Sequence, residues 1–128
     1  MAITNMHSTT VYVSDQDKAV EFYVNKLGFE KRQDEPFGYG DMPNLRWIEV
    51  APPGGQTAII LAYGFADWSE EKVGKDTGLV FTVEETYATC EQLKAKGVEF
   101  TEEPNAQPWG IQAQINDQDG NSIVLVGS

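Results

Sequence analysis

The 128-residue chain reads as one short pattern of elements repeated twice, and this internal repeat limits its fold more than any other feature. Each half is predicted to hold a strand, a helix and three further strands. Residues Leu27–Glu30 correspond to Lys96–Glu99, and Ile59–Leu61 correspond to Ile123–Leu125. A repeat of this kind predicts that each module buries the open face of its sheet against a copy of itself.

In the first half, residues 7–13 alternate between polar and β-branched side chains, which predicts a strand. Ser14 and Asp15 can cap a helix from about Gln16 to Leu27, and Gly28 is expected to end it in a left-handed conformation. Three further strands are predicted at 29–34, 45–50 and 57–62. One helical stripe is expected to face the core: Ala19, Val20, Tyr23, Val24 and Leu27.

The second half repeats this order after a linker at about residues 64–76. Strands are predicted at 78–83, 98–101, 109–116 and 122–126, and a helix at 84–96 with Tyr87, Cys90 and Leu93 toward the core. The predicted fold class is therefore α+β, with two tandem βαβββ modules forming a cupped mixed sheet. The chain would be a single domain, 1–128, with module 1 at about 5–63 and module 2 at about 77–127.

The composition and charge of the chain limit which binding partners and which cellular location we expect. The formal net charge of −11 disfavours nucleic acid, and no apolar run approaches the ~20 residues of a membrane span. The start of the chain lacks the pattern of a secretion signal, and the single cysteine, Cys90, cannot form an internal disulfide. We expect a cytoplasmic protein in which Cys90 is buried and inert. The acidic charge favours a cationic ligand, or serves only solubility.

Several segments, in order along essentially the whole chain, together resemble one known family. The segments are Val13–Tyr23, Leu27–Glu30, Trp47 with Val50–Gly54, Leu93–Phe100, Pro108–Gly110 and Asp117–Asn121. This ordered set is similar to the vicinal-oxygen-chelate superfamily, which contains glyoxalases, bleomycin-resistance proteins and dioxygenases, and most of all to its bleomycin-resistance-like branch. Gln118 stands where the family often has proline.

The resemblance implies a small molecule bound inside the cups of a homodimer. It also implies that enzymatic relatives hold a divalent metal there, whereas antibiotic-sequestering relatives often hold none. The metal-ligand positions of the family fall on Ser8, Ile60, Gly78 and Val124 in this chain. None of these side chains is a strong donor to a divalent cation, so we expect no metal and no cofactor.

His7, the only histidine, lies one residue from a family ligand position. A shift of one residue turns a side chain to the opposite face of a strand, so His7 is expected at the surface or rim. A β-bulge could instead bring it into the cup, with Glu49 as a distant partner.

Strand alternation predicts an apolar cup with aromatic walls, which suits a flat small molecule or a cation. The candidate ligand-binding residues are Tyr12, Trp47, Glu49, Ile60, Trp109, Phe37 and Tyr39. Trp68 lies on a further loop that could close over a ligand. Other roles are open: Trp47 and Trp109 could close an interface, Glu49 could satisfy an internal hydrogen bond, and Phe37 and Tyr39 could anchor their loop.

Catalytic machinery is not evident in the sequence. We find no Ser-His-Asp arrangement in the sequence, and Glu49 and Tyr12 are the only titratable candidates in the predicted lining. We therefore expect metal-independent binding or sequestration of an antibiotic-like molecule or metabolite in a dimeric groove. Two alternatives are a metal-dependent lyase, isomerase or dioxygenase with non-standard ligands, and a non-catalytic dimeric relative.

Overall fold

The computed structural model describes residues 1–36 and 45–128. The chain divides into two compact units, Met1–Val73 and Gly74–Ser128, each built on a four-stranded mixed sheet. The predicted α+β class with two βαβββ modules is confirmed. Phe37 and Tyr39, both predicted to contact a ligand, lie outside the described residues. Among the described helices, none has the length and apolarity to cross a bilayer.

The first unit follows the predicted order of elements. They are β1 (Ser8–Tyr12), α1 (Gln16–Val20), a π-helical segment (Glu21–Lys26), β2 (Glu30–Pro36), β3 (Arg46–Ala51), β4 (Ala58–Ala62) and a 3-10 turn (Glu70–Lys72). The strands lie in the order β1-β4-β3-β2. The β1 strand runs parallel to β4, and the other pairs are antiparallel.

The helix of the first unit begins and ends as the sequence indicates. The Asp15 side chain accepts a hydrogen bond from the Lys18 backbone N–H at 3.0 Å, and Gly28 has a φ of 79°. Its second half is wider than predicted, because the Leu27 N–H bonds to the Phe22 carbonyl, five residues back, at 3.1 Å. The wider turns bury Phe22 beside Tyr23, and Phe22 was absent from the predicted stripe.

Alternation along the strands places the core of the first unit between sheet and helix. Val11 and Val13 in the first strand region, and Ile48 and Val50 on β3, are buried. Arg46, on the same side of β3, reaches Asp17 of α1, which identifies this side as the helical face. Trp47 and Glu49 therefore point to the opposite face, which we call the non-helical face of the first sheet.

The second unit repeats the architecture. Its elements are β5 (Asp76–Val83), α2 (Thr86–Ala95), β6 (Glu99–Gln107), β7 (Gly110–Asn116) and β8 (Ser122–Gly127). The strand order is β5-β8-β7-β6, with β5 parallel to β8. The corresponding strands thus occupy the same places in both sheets.

The predicted inward orientation of Tyr87 is wrong. Its side chain is 52% exposed, whereas Thr86, Cys90 and Leu93 are buried. The helix begins at Thr86 and not at Glu84, and positions i, i+4 and i+7 from that start form the inner stripe. Tyr87 lies about 100° around the helix from that stripe.

The β6 strand continues to Gln107, six residues beyond its predicted end. It is one of the two edge strands of its sheet, and the register of its pairing with β7 shifts between Phe100 and Glu102 and between Glu102 and Asn105. Proline is tolerated at an edge or a bulge because no ladder hydrogen bond is needed from its nitrogen there. Pro104 can therefore lie within β6.

Candidate functional site

A row of side chains crosses the non-helical face of the first sheet. Thr10 on β1 pairs with Ile60 on β4, Ile60 pairs with Glu49 on β3, and Glu49 pairs with Gln33 on β2. Residues directly opposite each other on neighbouring strands share a face. Glu49 is therefore a carboxylate placed beside the apolar Ile60, which is only 2% exposed.

Trp47 forms an aromatic plate next to this carboxylate. Its indole Nε1–H donates to Oε2 of Glu49 at 2.8 Å, and its ring stacks on Phe65 at a centroid distance of 5.7 Å and an interplanar angle of 28°. Within the part of the chain that the structure describes, Oε1 of Glu49 accepts no hydrogen bond. The pair therefore offers a fixed ring and a carboxylate oxygen to a ligand.

The segment that carries Phe65 is fastened to the end of β1. Tyr12 donates its hydroxyl proton to the Ala66 carbonyl at 2.6 Å, and the Trp68 indole N–H donates to the Val13 carbonyl at 2.9 Å. Trp68, on a loop that could close over a ligand, uses its indole N–H in this backbone contact. Sequence alternation could not reveal Phe65, because it lies beyond the last strand of the unit.

The backbone of the same segment is strained. Ala66 and Asp67 have φ values of 54° and 62°, a left-handed conformation that residues with a Cβ rarely adopt. Lys72 donates to the Asp67 carbonyl at 2.7 Å and lies 5.3 Å from the centroid of the Tyr12 ring. These contacts hold Phe65 against Trp47 despite the local cost.

A bidentate ion pair of the first unit lies on the other face. Arg46 donates through Nε and Nη2 to both carboxylate oxygens of Asp34 at 2.9 Å, and through Nη1 to Asp17 at 2.7 Å. The hydrogen bonds from Arg46 lower the pKa of Asp34 to about 2, against a smaller opposing effect of burial. The same bonds raise the pKa of Arg46, so both groups stay charged and neither faces the candidate site.

The four positions at which the family resemblance implies metal ligands carry side chains that do not fit a divalent cation. Ser8 is the first residue of β1, Ile60 and Val124 lie mid-strand, and Gly78 lies in β5 with a φ of 73°. Their side chains supply one weak hydroxyl donor between them. Residues 1–36 and 45–128 contain no group of three or more histidine, cysteine or acidic side chains placed to hold a metal ion.

His7 and Cys90 lie apart from the row. His7 is exposed and immediately precedes β1, where its carbonyl accepts a hydrogen bond from the Ala58 N–H at 3.0 Å. Cys90 lies on the inner side of α2 and is buried, as predicted, and this burial raises the pKa of its thiol. A thiol with a raised pKa is a poor nucleophile at neutral pH.

The non-helical face of the second sheet carries a polar network that the sequence did not predict. The Trp109 indole N–H donates to Oε1 of Gln112 at 3.0 Å, and Nε2 of Gln112 donates to Oε1 of Glu102 at 3.0 Å. Asn105 donates to the Gln112 carbonyl at 3.1 Å. Polar residues at every second position of β7 were the available sequence signal, since they indicate a face turned away from the core.

The predicted ligand-binding residues thus fall into three groups. Tyr12, Trp47, Glu49 and Ile60 belong to the first unit and lie on its non-helical face. Trp109 belongs to the second unit, just before β7, and is 62% exposed. The remaining two predicted residues lie outside the described part of the chain.

Comparisons with known proteins agree with this architecture. Residues 5–125 match the model of the Glyoxalase/Bleomycin resistance protein/Dioxygenase superfamily. The YetH protein of Bacillus subtilis (strain 168) is 38% identical over 96% of this chain and 98% of its own length. A probable lactoylglutathione lyase of Synechocystis sp. is 26% identical over 92% of this chain and 91% of its own.

Two solved structures are also similar to the chain. One is TnmS3, an antibiotic binding protein from Streptomyces sp. CB03234, with a TM-score of 0.83, 36% identity, and coverage of 99% of this chain and 98% of that one. The other is a superfamily member from Sphaerobacter thermophilus, with a TM-score of 0.79, 39% identity and 98% coverage of each chain. The fold described above is that of a two-module βαβββ protein. The chain belongs to the glyoxalase/bleomycin resistance/dioxygenase superfamily.

Proposed function

We propose that this protein binds and sequesters a planar small molecule, an antibiotic or a metabolite, without using a metal. The observation that carries the proposal is its 36% identity, over almost its full length, to the antibiotic binding protein TnmS3. Whole-chain similarity at this level supports a shared kind of ligand site more strongly than fold alone does.

The chemistry of the first unit supports the same conclusion. Trp47 and Phe65 provide aromatic faces, and Glu49 provides the charged group beside them. A flat, conjugated ligand gains stacking energy from such rings, and a protonated amine on it gains an ion pair with the carboxylate. The net charge of −11 adds a long-range attraction for cations.

A metal-dependent enzyme is the second candidate, favoured by the relative described as a probable lactoylglutathione lyase. That activity in this chain would need ligands other than Ser8, Ile60, Gly78 and Val124. Elemental analysis of protein purified without chelator separates the two. Stoichiometric nickel, zinc, iron or manganese would contradict metal-independent binding.

The direct test is a thermal-shift screen against bleomycin, daunorubicin and mitomycin C, each with and without EDTA. A ligand at 100 times its dissociation constant stabilises the folded state by about 2.7 kcal/mol, so binding raises the unfolding temperature by several degrees. We expect at least one of these three compounds to raise the unfolding temperature, and we expect EDTA to leave that increase unchanged. An increase that EDTA abolishes would argue against the proposal. So would an unchanged unfolding temperature with all three compounds.

Replacing Trp47 tests the site itself. Trp47→Ala removes the stacking surface and should weaken ligand binding about ten-fold or more, whereas Trp47→Phe keeps a ring and should retain most of the affinity. The matched control is Tyr87→Ala, which removes an exposed aromatic ring from the helix of the other unit. Calorimetric titration measures all three. Wild-type affinity in Trp47→Ala would place Trp47 in an interface instead.

A further inference from the structure

Residues 63–69, which we call the strap, connect β4 to the 3-10 turn of the first unit without being part of the sheet. Three side chains fasten the strap through hydrogen bonds to its backbone or from its own indole: Tyr12, Lys72 and Trp68. Segments outside the ladder of a sheet open at a lower free energy than its strands do, because fewer interactions must break. The strap can therefore detach while the sheet stays folded.

The fastened position of the strap is also strained. Ala66 and Asp67, which follow each other, have φ values of 54° and 62°. Two residues with a Cβ in this conformation raise the free energy of the fastened form, and detachment lets them relax. Gly64, near the β4 end, has a φ of 78° at little cost and can serve as a hinge. The hydrogen bonds and the strain oppose each other, which favours two interconverting positions.

In the fastened position, Phe65 covers one face of the Trp47 ring. The two ring centroids lie 5.7 Å apart with an interplanar angle of 28°. A planar molecule between two stacked rings needs about 3.5 Å on each side, or roughly 7 Å between the rings. The two rings are too close together to accept such a molecule. This face of Trp47 therefore becomes available only when Phe65 moves away.

We infer that the strap is a gate over the first sheet. It releases its bonds to Tyr12 and Val13, turns about Gly64 and withdraws Phe65 from Trp47, and it closes again with Phe65 against the outer face of a planar ligand. The purpose of the gate rests on the proposed function, but its opening takes place without ligand. The gate sets how fast a ligand enters and leaves, and Tyr12 is a positioning residue because it acts through the strap backbone.

Hydrogen exchange at two bonds of Val13 tests the gate in the full chain without ligand. The Val13 carbonyl accepts from the Trp68 indole N–H of the strap, whereas the Val13 N–H donates to the Ala62 carbonyl of β4 at 3.0 Å. Opening of the strap exposes only the indole N–H to solvent. We expect NMR to show at least about 100-fold weaker protection of this indole N–H than of the Val13 N–H, each relative to its intrinsic exchange rate. Equal protection would show that the strap opens only when the unit unfolds, and would overturn the gate.

Tyr12→Phe tests the fastening of the strap. It removes the hydroxyl that donates to the Ala66 carbonyl and keeps the ring, so exchange of the Trp68 indole N–H should rise about five-fold or more. Exchange of the Val13 N–H should not change. The matched control is Tyr87→Phe, which removes the hydroxyl of an exposed tyrosine in the other unit and should alter neither rate. An effect of Tyr12→Phe no larger than that of the control would overturn the role of Tyr12.

Fluorine NMR of the full chain labelled with 5-fluorotryptophan tests whether Phe65 leaves Trp47 in the same event. The chain has three tryptophans, whose signals are assigned by replacing each in turn with phenylalanine. We expect relaxation dispersion to give Trp47 and Trp68 one common exchange rate, which Tyr12→Phe changes for both and which Trp109 in the other unit does not share. Unequal rates for Trp47 and Trp68 would overturn the gate. Because no ligand is added, this failure differs from failure of the proposed function, which the thermal-shift screen decides.

Discussion

Single side chains near β1 and on β3 follow the alternation of their strands closely. Val11, Val13, Ile48 and Val50 lie in the core, and their neighbours Tyr12, Trp47 and Glu49 do not. This is predictable because β-strand geometry fixes which residues share a face. The partners of those side chains were not predictable, since the Trp47–Phe65 stack joins residues that no periodicity connects.

The ion pair between Arg46 and Asp34 leads to a prediction about how the stability of the protein depends on pH. Because the folded-state pKa of Asp34, about 2, lies below its ordinary value of 3.8, the pair stabilises the folded state above about pH 4 and loses this effect as the pH falls toward 2. Asp34→Asn should therefore lower the free energy of unfolding at pH 7 by about 1–2 kcal/mol, allowing for partial exposure. Urea denaturation at a series of pH values measures the difference.

Asp17 provides the control for this experiment. It binds the same guanidinium, but its side chain is 81% exposed, so Asp17→Asn should cost less than about 0.5 kcal/mol. A destabilisation by Asp34→Asn that persists unchanged at pH 2 would show that lost packing, and not the charge, explains it.

The elements were predicted well in number and order and less well at their ends. The helix that follows β5 begins two residues later than expected, at Thr86, because Glu85 takes a left-handed conformation with a φ of 47°. No local sequence rule predicts a glutamate in that conformation. The error at Tyr87 has a separate cause: the buried stripe runs through Thr86, Cys90 and Leu93 and leaves Tyr87 to one side.

Thr86 yields a prediction about this helix start. Its hydroxyl oxygen is buried and has no hydrogen-bond partner among the described residues. A buried unsatisfied hydroxyl costs free energy, so the near-isosteric Thr86→Val should leave stability unchanged or raise it by up to about 1 kcal/mol. Chemical denaturation measures the change, with Thr89→Val as the comparison.

Thr89 serves as that comparison because its hydroxyl donates to the Glu84 carbonyl at 2.8 Å. Its replacement by valine breaks a bond and should destabilise the fold by about 1 kcal/mol. If Thr86→Val is the more damaging of the two, the Thr86 hydroxyl has a partner in solution.

At the scale of the whole molecule, the repeat and the family predicted the fold, but composition could not identify the ligand. The two units are similar in topology and different in chemistry: an indole bound directly to a carboxylate in the first, and an indole bound through Gln112 in the second. The difference arises because Gln112, on the central strand β7, occupies the place that Trp47 occupies on β3.

We propose that two copies of the chain associate, as the family resemblance implies. The net charge of the chain predicts how this association depends on salt. Each copy brings a formal charge of −11, so repulsion opposes association and salt should weaken that repulsion. Sedimentation equilibrium should give twice the chain mass of 14.2 kDa, with a dissociation constant that falls as salt rises from 0.01 to about 0.5 M. A mass of one chain at every salt concentration would contradict the dimer.

The irregular edge strand β6 has a consequence for behaviour at high concentration. An uncovered edge offers unpaired N–H and C=O groups on which foreign strands can polymerise. In β6 the interrupted register, Pro104 and the acidic residues Glu99, Glu102 and Glu103 all oppose such growth. We therefore expect these features of β6 to limit edge-to-edge aggregation of this sheet even in concentrated solution.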